Sequence, residues 1–266
     1  MDMKTRVLML GNILLVFLTI AVNSLANILP INGRYTGELS DAIPNLFVPT
    51  GLTFAVWGAI YALILGFAMF QLLAMRKKND INTDFVQKIG VFFILGSIGN
   101  IIWIFLWHYQ YVVYSLFAMV LLFVSLLMIY LRLQIGLSEP SIKERIFVYL
   151  PISVYLGWIT VATIANVTAV LVVSDVGGLF LGEEIWTMLV IIVATLITTL
   201  ILHTRNDIGY TLVIIWALLG IAIKRLETDP IYGVQSGIAM VAILSIIVIL
   251  VFLVAKNVII GEPIKW

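Results

Sequence analysis

Three sets of residues in this chain have the types and spacing to line a binding site. Trp57 and Tyr61 stand four apart; Asn100, Trp103 and Trp107 follow i, i+3, i+7; Trp158, Ala162 and Asn166 follow i, i+4, i+8. On a helix each set falls on a single stripe. Indole and phenol rings offer stacking faces with one polar edge, amides offer hydrogen bonds, and small neighbours such as Gly58 and Ala162 leave room beside the rings. The chemistry implied is recognition of a flat, largely apolar molecule with a few polar edges. Taken one at a time, these residues have a plainer use: asparagine joins helices in a membrane, and tryptophan and tyrosine gather at its interfaces. Three helices carrying the same combination favour a pocket.

The elements that must position these stripes follow from composition. Of 266 residues, 62% are hydrophobic and 11% charged, with a mean hydropathy of +1.15. A soluble domain carries roughly 25% charged residues, so this surface faces lipid. A net charge of +1 argues against a nucleic-acid partner, which calls for a basic stripe. The absence of cysteine excludes disulfides, thiolate catalysis and cysteine-ligated metals. Apolar runs long enough to cross a bilayer, about 20 residues each, occupy 6–28, 53–75, 87–108, 110–133, 146–173, 185–203, 209–224 and 237–255. The fold class is an all-α polytopic membrane bundle of eight spans, with seven as the alternative because the third break and the seventh span are both short. The first run exceeds the 7–15 residues of a signal-peptide core and reads as a membrane helix.

Charge asymmetry tests the count. With the N-terminus inside, twelve Lys and Arg fall on the inner side, and only Arg34, Lys224 and Arg225 on the outer side. This partition places both termini in the cytoplasm, in what reads as a bacterial or archaeal plasma membrane. The spans hold essentially no ionisable residue in their interiors: acids sit in loops, Lys88 lies at a helix end, and His108 and His203 fall at span ends as interfacial residues. Neither has a carboxylate near it in sequence, so no metal site or cofactor is expected, and a proton- or ion-driven pump has little to work with. No nucleophile–base pair or paired carboxylates lie within the spans, which argues against an enzyme. The long first loop, 29–52, carries Pro30, Asn32-Gly33, Gly37, Pro44, Pro49 and Gly51. That punctuation indicates turns rather than helix, and apolar Leu46, Phe47 and Val48 argue that the loop docks on the bundle as a lid. The 134–145 loop reads as a solvated connector, and the 174–184 turn as a solvated rim.

With these residues in view, the chain resembles the translocator protein family, also called the tryptophan-rich sensory or TspO/MBR family. Its signatures are matched by Pro49 before Trp57-Gly58 and Tyr61, by Asn100 with Trp103, and by Trp158, Ala162 and Asn166, in order on the second, third and fifth spans. The resemblance covers roughly residues 1–173 and implies a five-helix ligand-binding unit; 174–266 add three helices in a divergent long form. It implies a pocket capped by the first loop that takes porphyrins, isoquinoline-type drugs or sterols. It also implies a porphyrin-degrading side activity at Trp57 and Trp158. Departures concern specificity: Val48 stands where the family has a first proline, Gly51 and Leu52 where a tryptophan is usual, and Val173 where a second asparagine is usual. The ligand-binding set is Pro49, Trp57, Tyr61, Asn100, Trp103, Trp107, Trp158, Ala162 and Asn166. The expected partners are the bilayer, a hydrophobic porphyrin-like molecule and, as an option, a second copy in a homodimer. The alternative function is a small-solute permease using the extra helices; a membrane enzyme acting on lipid or pigment ranks last.

The charge partition gives a direct expectation. Single cysteines introduced at residues 2 and 264 should both be labelled from the cytoplasmic side and neither from outside; labelling from opposite sides would remove the eight-span reading.

Overall fold

The computed structural model describes residues 2–76, 82–176, 181–228 and 234–259. Lys77, Lys78 and Lys265 of the charge partition, the label site at 264 and residues 177–180 of the rim turn lie outside them. The architecture is all-helical. Eight apolar helices run as α1 (Met3–Ile28), α3 (Val56–Arg76), α5 (Phe92–His108), α6 (Val112–Leu133), α8 (Leu150–Val173), α9 (Glu183–Arg205), α10 (Ile208–Thr228) and α11 (Val234–Val254). Short helices α2 (Thr36–Ala42), α4 (Asp84–Ile89) and the single turn α7 (Ile142–Glu144) connect them. Seven of the long elements are long and apolar enough to cross a membrane; α5, with 17 residues, sits at the lower limit for a span.

Local chemistry sets the ends. The Asp2 carboxylate accepts from the Thr5 amide at 2.8 Å and caps α1. Gln134 and Asn206 turn left-handed and stop α6 and α9. Pro151 stands in the first turn of α8, where its missing N–H costs nothing. The third span is interrupted: at Gly90 the backbone adopts φ +58°, so the apolar run over 87–108 folds as α4, a break, and α5. The seventh span is longer than its apolar run. α10 continues through Lys224 and Arg225 because both cations have partners: Lys224 Nζ lies 2.7 Å from Asp41 Oδ1, and Arg225 donates to Gln235 Oε1 at 2.9 Å.

The first five long helices close into a ring. α1 packs on α3 and α5, α5 on α6, α6 on α8, and α8 back on α3. The last three pack on one another and join the ring through α10, which lies against α8. At that seam the Ser153 hydroxyl donates to Asp207 Oδ1 at 2.5 Å, and the Tyr210 hydroxyl to Thr160 Oγ1 at 3.2 Å. Asp207, in the tight turn between α9 and α10, is fully buried. Burial raises its carboxyl above the ordinary carboxylate range, against the hydrogen bonds from Ser153 and the Tyr210 amide. Such a group contributes most to stability below the ordinary carboxylate pKa, and the contribution fades as pH rises through the folded-state value.

The loops are more ordered than their composition indicates. Residues 29–52 are not turns alone: they contain α2, whose Glu38 carboxylate accepts from the Tyr35 amide at 3.0 Å in a capping box. The start of 134–145 is docked rather than solvated. Ile135 is fully buried and its carbonyl accepts from Arg205 at 2.8 Å, while Ser138 donates to the Tyr149 hydroxyl. His108 is likewise not an interfacial side chain. It is fully buried beneath the lid, with Nδ1 2.7 Å from the Ile104 carbonyl and Nε2 3.2 Å from Thr36 Oγ1.

The lid is held from two sides. On the ring side, Asn45 donates to the Ala165 carbonyl at 3.0 Å and to Thr168 Oγ1 at 2.7 Å, and Asn32 donates to the His108 carbonyl at 3.1 Å. On the other side α10 grips it. The Thr50 amide donates to the Gly220 carbonyl at 3.2 Å, and Trp216 Nε1 donates to the Thr53 carbonyl at 2.9 Å. A Cβ at Gly220 would lie 1.9 Å from Thr53 Oγ1 and 3.0 Å from Pro49 Cβ, so only glycine lets the two backbones meet. Overpacking of this kind costs about 1–3 kcal/mol, whereas the exposed Lys224–Asp41 pair is worth about 0–1 kcal/mol. The chain has no cysteine, so a Val48→Cys reporter is specific; Val48 is buried and should react slowly with a water-soluble maleimide. Adding Gly220→Leu should accelerate that labelling by roughly tenfold, by the overpacking cost, while adding Lys224→Ala should change it less than about fivefold. Equal rates in all three proteins would mean that α10 does not hold the lid.

Candidate functional site

Directly beneath the lid lies a cavity of about 60 Å3 enclosed by the five-helix ring. Its walls come from every part of the ring except α1. The lid supplies Val48 and Pro49, the turn at Gly51–Ala55 supplies Phe54, α3 supplies Trp57, and α5 supplies Trp103 and Trp107. α6 contributes Met119, and α8 contributes Trp158, Ala162 and Asn166. Among the described residues lining it, none is ionisable.

The rings form two linked groups. Trp158 meets Phe54 edge-on at 5.7 Å and Trp57 edge-on at 6.2 Å, and Trp57 stacks on Tyr61 at 5.5 Å. Trp103 stacks on Trp107 at 5.5 Å. Trp103 is fixed by its own polar edge: Nε1 donates to Asn166 Oδ1 at 2.9 Å, and Asn166 Nδ2 donates to Ser115 Oγ at 3.1 Å. One asparagine thus orients a cavity ring and joins α5, α6 and α8.

Seven of the nine residues singled out from the sequence line this cavity: Pro49, Trp57, Trp103, Trp107, Trp158, Ala162 and Asn166. Two do not. Asn100 lies behind the wall, accepting from Asn23 Nδ2 at 2.6 Å and donating to the Tyr155 hydroxyl at 3.1 Å. Tyr61 backs Trp57 and faces a separate space between α1 and α3. Sequence reasoning missed Thr36, Ser40, Ile43 and Asn45, the lid residues that form the roof. The signal for them was Glu38, three residues after Tyr35, which closes the capping box of α2. Trp186 sits outside the cavity, in a shallow recess against Pro44 and Leu46 of the lid.

A neighbouring recess of about 400 Å3 shares Ile43 and Trp107 with the cavity and carries Arg34 at its edge. The arrangement is an apolar slot with an aromatic floor, two oriented amides, Asn45 and Asn166, and a guanidinium beyond its rim. Its closed volume is far below the 300–1,000 Å3 of sites that hold drug-sized molecules, so admitting one requires the lid to lift or the rings to turn.

No curated protein and no solved structure matches the chain. The family model described as TSPO-like protein matches residues 8–255, running past residue 173, where the motif resemblance stops, and through α9, α10 and α11. This chain therefore belongs to the TSPO-like protein family.

Proposed function

We propose that this membrane protein binds flat, hydrophobic, tetrapyrrole-like ligands in the cavity under the lid, as a receptor or carrier rather than as an enzyme. The observation that carries this reading is the convergence of Trp57, Trp103, Trp107 and Trp158 from three helices on one uncharged cavity. Aromatic faces suit a planar ring system, and stacked or edge-on pairs add about 0.5–1.5 kcal/mol beyond their buried area. Ala162, with Ala165 and Ala169 further along α8, leaves room beside the large side chains into which a ring edge can slide. With no cation in the lining, acidic substituents of such a ligand would reach outward to Arg34 in the adjoining recess. The lid supplies the seal: it must rise to admit the ligand, and its two sets of anchors set how often it does.

Protoporphyrin IX added to the purified protein should quench tryptophan fluorescence saturably. Trp158→Ala should weaken binding by about three- to tenfold, the equivalent of one lost aromatic contact, and Ala162→Leu should abolish it by bulk. Tyr109→Ala, an exposed ring outside the cavity, should leave it unchanged. Arg34→Gln should weaken protoporphyrin IX but not its dimethyl ester. Unchanged affinity in Trp158→Ala and Ala162→Leu, with both folded, would return these residues to a packing role.

A further inference from the structure

Back to back with the cavity, on the far side of Trp57 and Trp103, lies a second chamber of about 350 Å3. It falls within the usual size of a ligand site and is several times roomier than its neighbour. Phe54, Trp57, Tyr61 and Trp103 form one wall; Asn23, Asn27 and Thr36 form the other. Its lining mixes hydrogen-bond acceptors and donors: the side-chain oxygens of Asn23, Asn27 and Thr36 on one wall, and the Trp57 indole N–H and Tyr61 hydroxyl on the other.

Asn23 is the key residue. It is only 2% exposed, and its Nδ2 already donates twice, to the Thr19 carbonyl at 2.9 Å and to Asn100 Oδ1 at 2.6 Å. Both amide hydrogens are spent, so what it presents to the chamber is its side-chain oxygen Oδ1, to which no described protein group donates. Asn27 Nδ2 donates one hydrogen to the Asn23 backbone carbonyl at 2.8 Å, which leaves its side-chain oxygen and its other amide hydrogen. Thr36 follows the same logic through His108. The Ile104 carbonyl can only accept, so in the neutral ring Nδ1 carries the proton; Nε2 then accepts, and the Thr36 hydroxyl must donate to it. Its remaining lone pairs are open. An acceptor that faces a confined space without a donor is poorly solvated, and a ligand that donates to it removes that deficit.

We infer that this chamber is a binding site for the hydroxyl head of a neutral amphiphile or polyol, with its hydroxyls donating to Asn23, Asn27 and Thr36. The lining contains no carboxylate, so nothing there favours an ammonium over a neutral hydroxyl. The aromatic wall receives the carbon skeleton. The rim is lipid-like: Ile28 and Leu52, next in sequence to the lining residues Asn27 and Gly51, are both exposed, a path by which an acyl chain leaves toward the bilayer.

The test uses the full-length protein in detergent and two brominated probes of equal chain length, a monoacylglycerol and a fatty-acid methyl ester, with bromine quenching the tryptophans. The monoacylglycerol should bind at least fivefold more tightly than the ester in the wild type. That advantage should disappear in Asn23→Leu, fall by about two- to tenfold in Asn27→Leu as one hydrogen bond is lost, and disappear in Gly51→Leu. Gly51 lines the chamber, and a Cβ there meets nothing within 4 Å, so this variant fills the space without disturbing the fold. Asn27 is exposed and bonds only to the Asn23 backbone, so that variant keeps the test decisive even if Asn23→Leu fails to fold. Free glycerol that relieves the quenching identifies the polyol itself as occupant; glycerol without effect identifies the lipid head. Equal binding of the two probes to wild type, or an undiminished advantage in folded Asn27→Leu and Gly51→Leu, overturns the inference. Protoporphyrin binding in the neighbouring cavity is read separately, so either site can fail without the other.

Discussion

The structure depends on one constraint: in hydrocarbon, an amide must find its partners inside the protein. Asn23, Asn100 and Tyr155 form a chain that ties α1 to α5 to α8, and Trp103, Asn166 and Ser115 form another that ties α5 to α8 to α6. Each such bond contributes only about 0.6–2 kcal/mol in a membrane, so their main effect is on register. An unpaired Asn100 or Asn166 would be costly at any other rotation of these helices. The apolar packing tolerates several rotations; the amides select one, and that one turns Trp57, Trp103 and Trp158 inward.

This division of labour explains why the rings form a cavity instead of a solid core. Trp103 is held by its Nε1 edge, Trp57 is backed by Tyr61, and Trp158 is braced by Phe54. Each ring is supported from behind or from the side, so none needs to fill the space in front of it. The lid then closes that space with Val48 and Pro49, and α10 closes the lid. A helix beyond the five-membered ring thereby becomes part of the site's boundary without lining it, through a backbone contact that only Gly220 permits.

Much of this was legible in the sequence because helical periodicity is a strong signal and lipid sharpens it. A Trp, small residue, Asn stripe at i, i+4, i+8 has few arrangements open to it, and Trp158, Ala162 and Asn166 face the cavity as their spacing implies. Tyr61 and Asn100 share the stripes yet not the cavity. A stripe fixes a rotation about the helix axis, but a neighbouring side chain decides which residue reaches the front. What was illegible depends on contacts far apart in the chain. His108 looked interfacial because its neighbours in sequence are polar and aromatic; Thr36 and Asn32, more than seventy residues earlier, bury it. Asp207 looked like a loop acid because the turn around it is short, and only the packing of α8 against α10 encloses it. Composition gave α2 away as turn, since glycine and proline flank it on both sides; the capping box that starts it uses a tyrosine position that a search for serine or threonine does not find.

The two chambers beneath and beside the lid show how the same amide network yields opposite chemistry on its two faces. Toward α6 and α8 the amides are satisfied: Asn166 both accepts and donates, Asn45 is bonded to α8 and to its own loop, and the cavity they border is left apolar. Toward α1 both Asn23 amide hydrogens are spent, one of them on Asn100 of α5, so its side-chain oxygen is left for the space that remains. Trp57 and Trp103 form the partition, one indole face on each side. A rotation of either ring would join an aromatic slot to an acceptor-lined chamber. The Trp103–Asn166 bond opposes that rotation on one side, and the Trp57–Tyr61 stack opposes it on the other. The spaces stay distinct because the groups that could open the wall are the ones most firmly held.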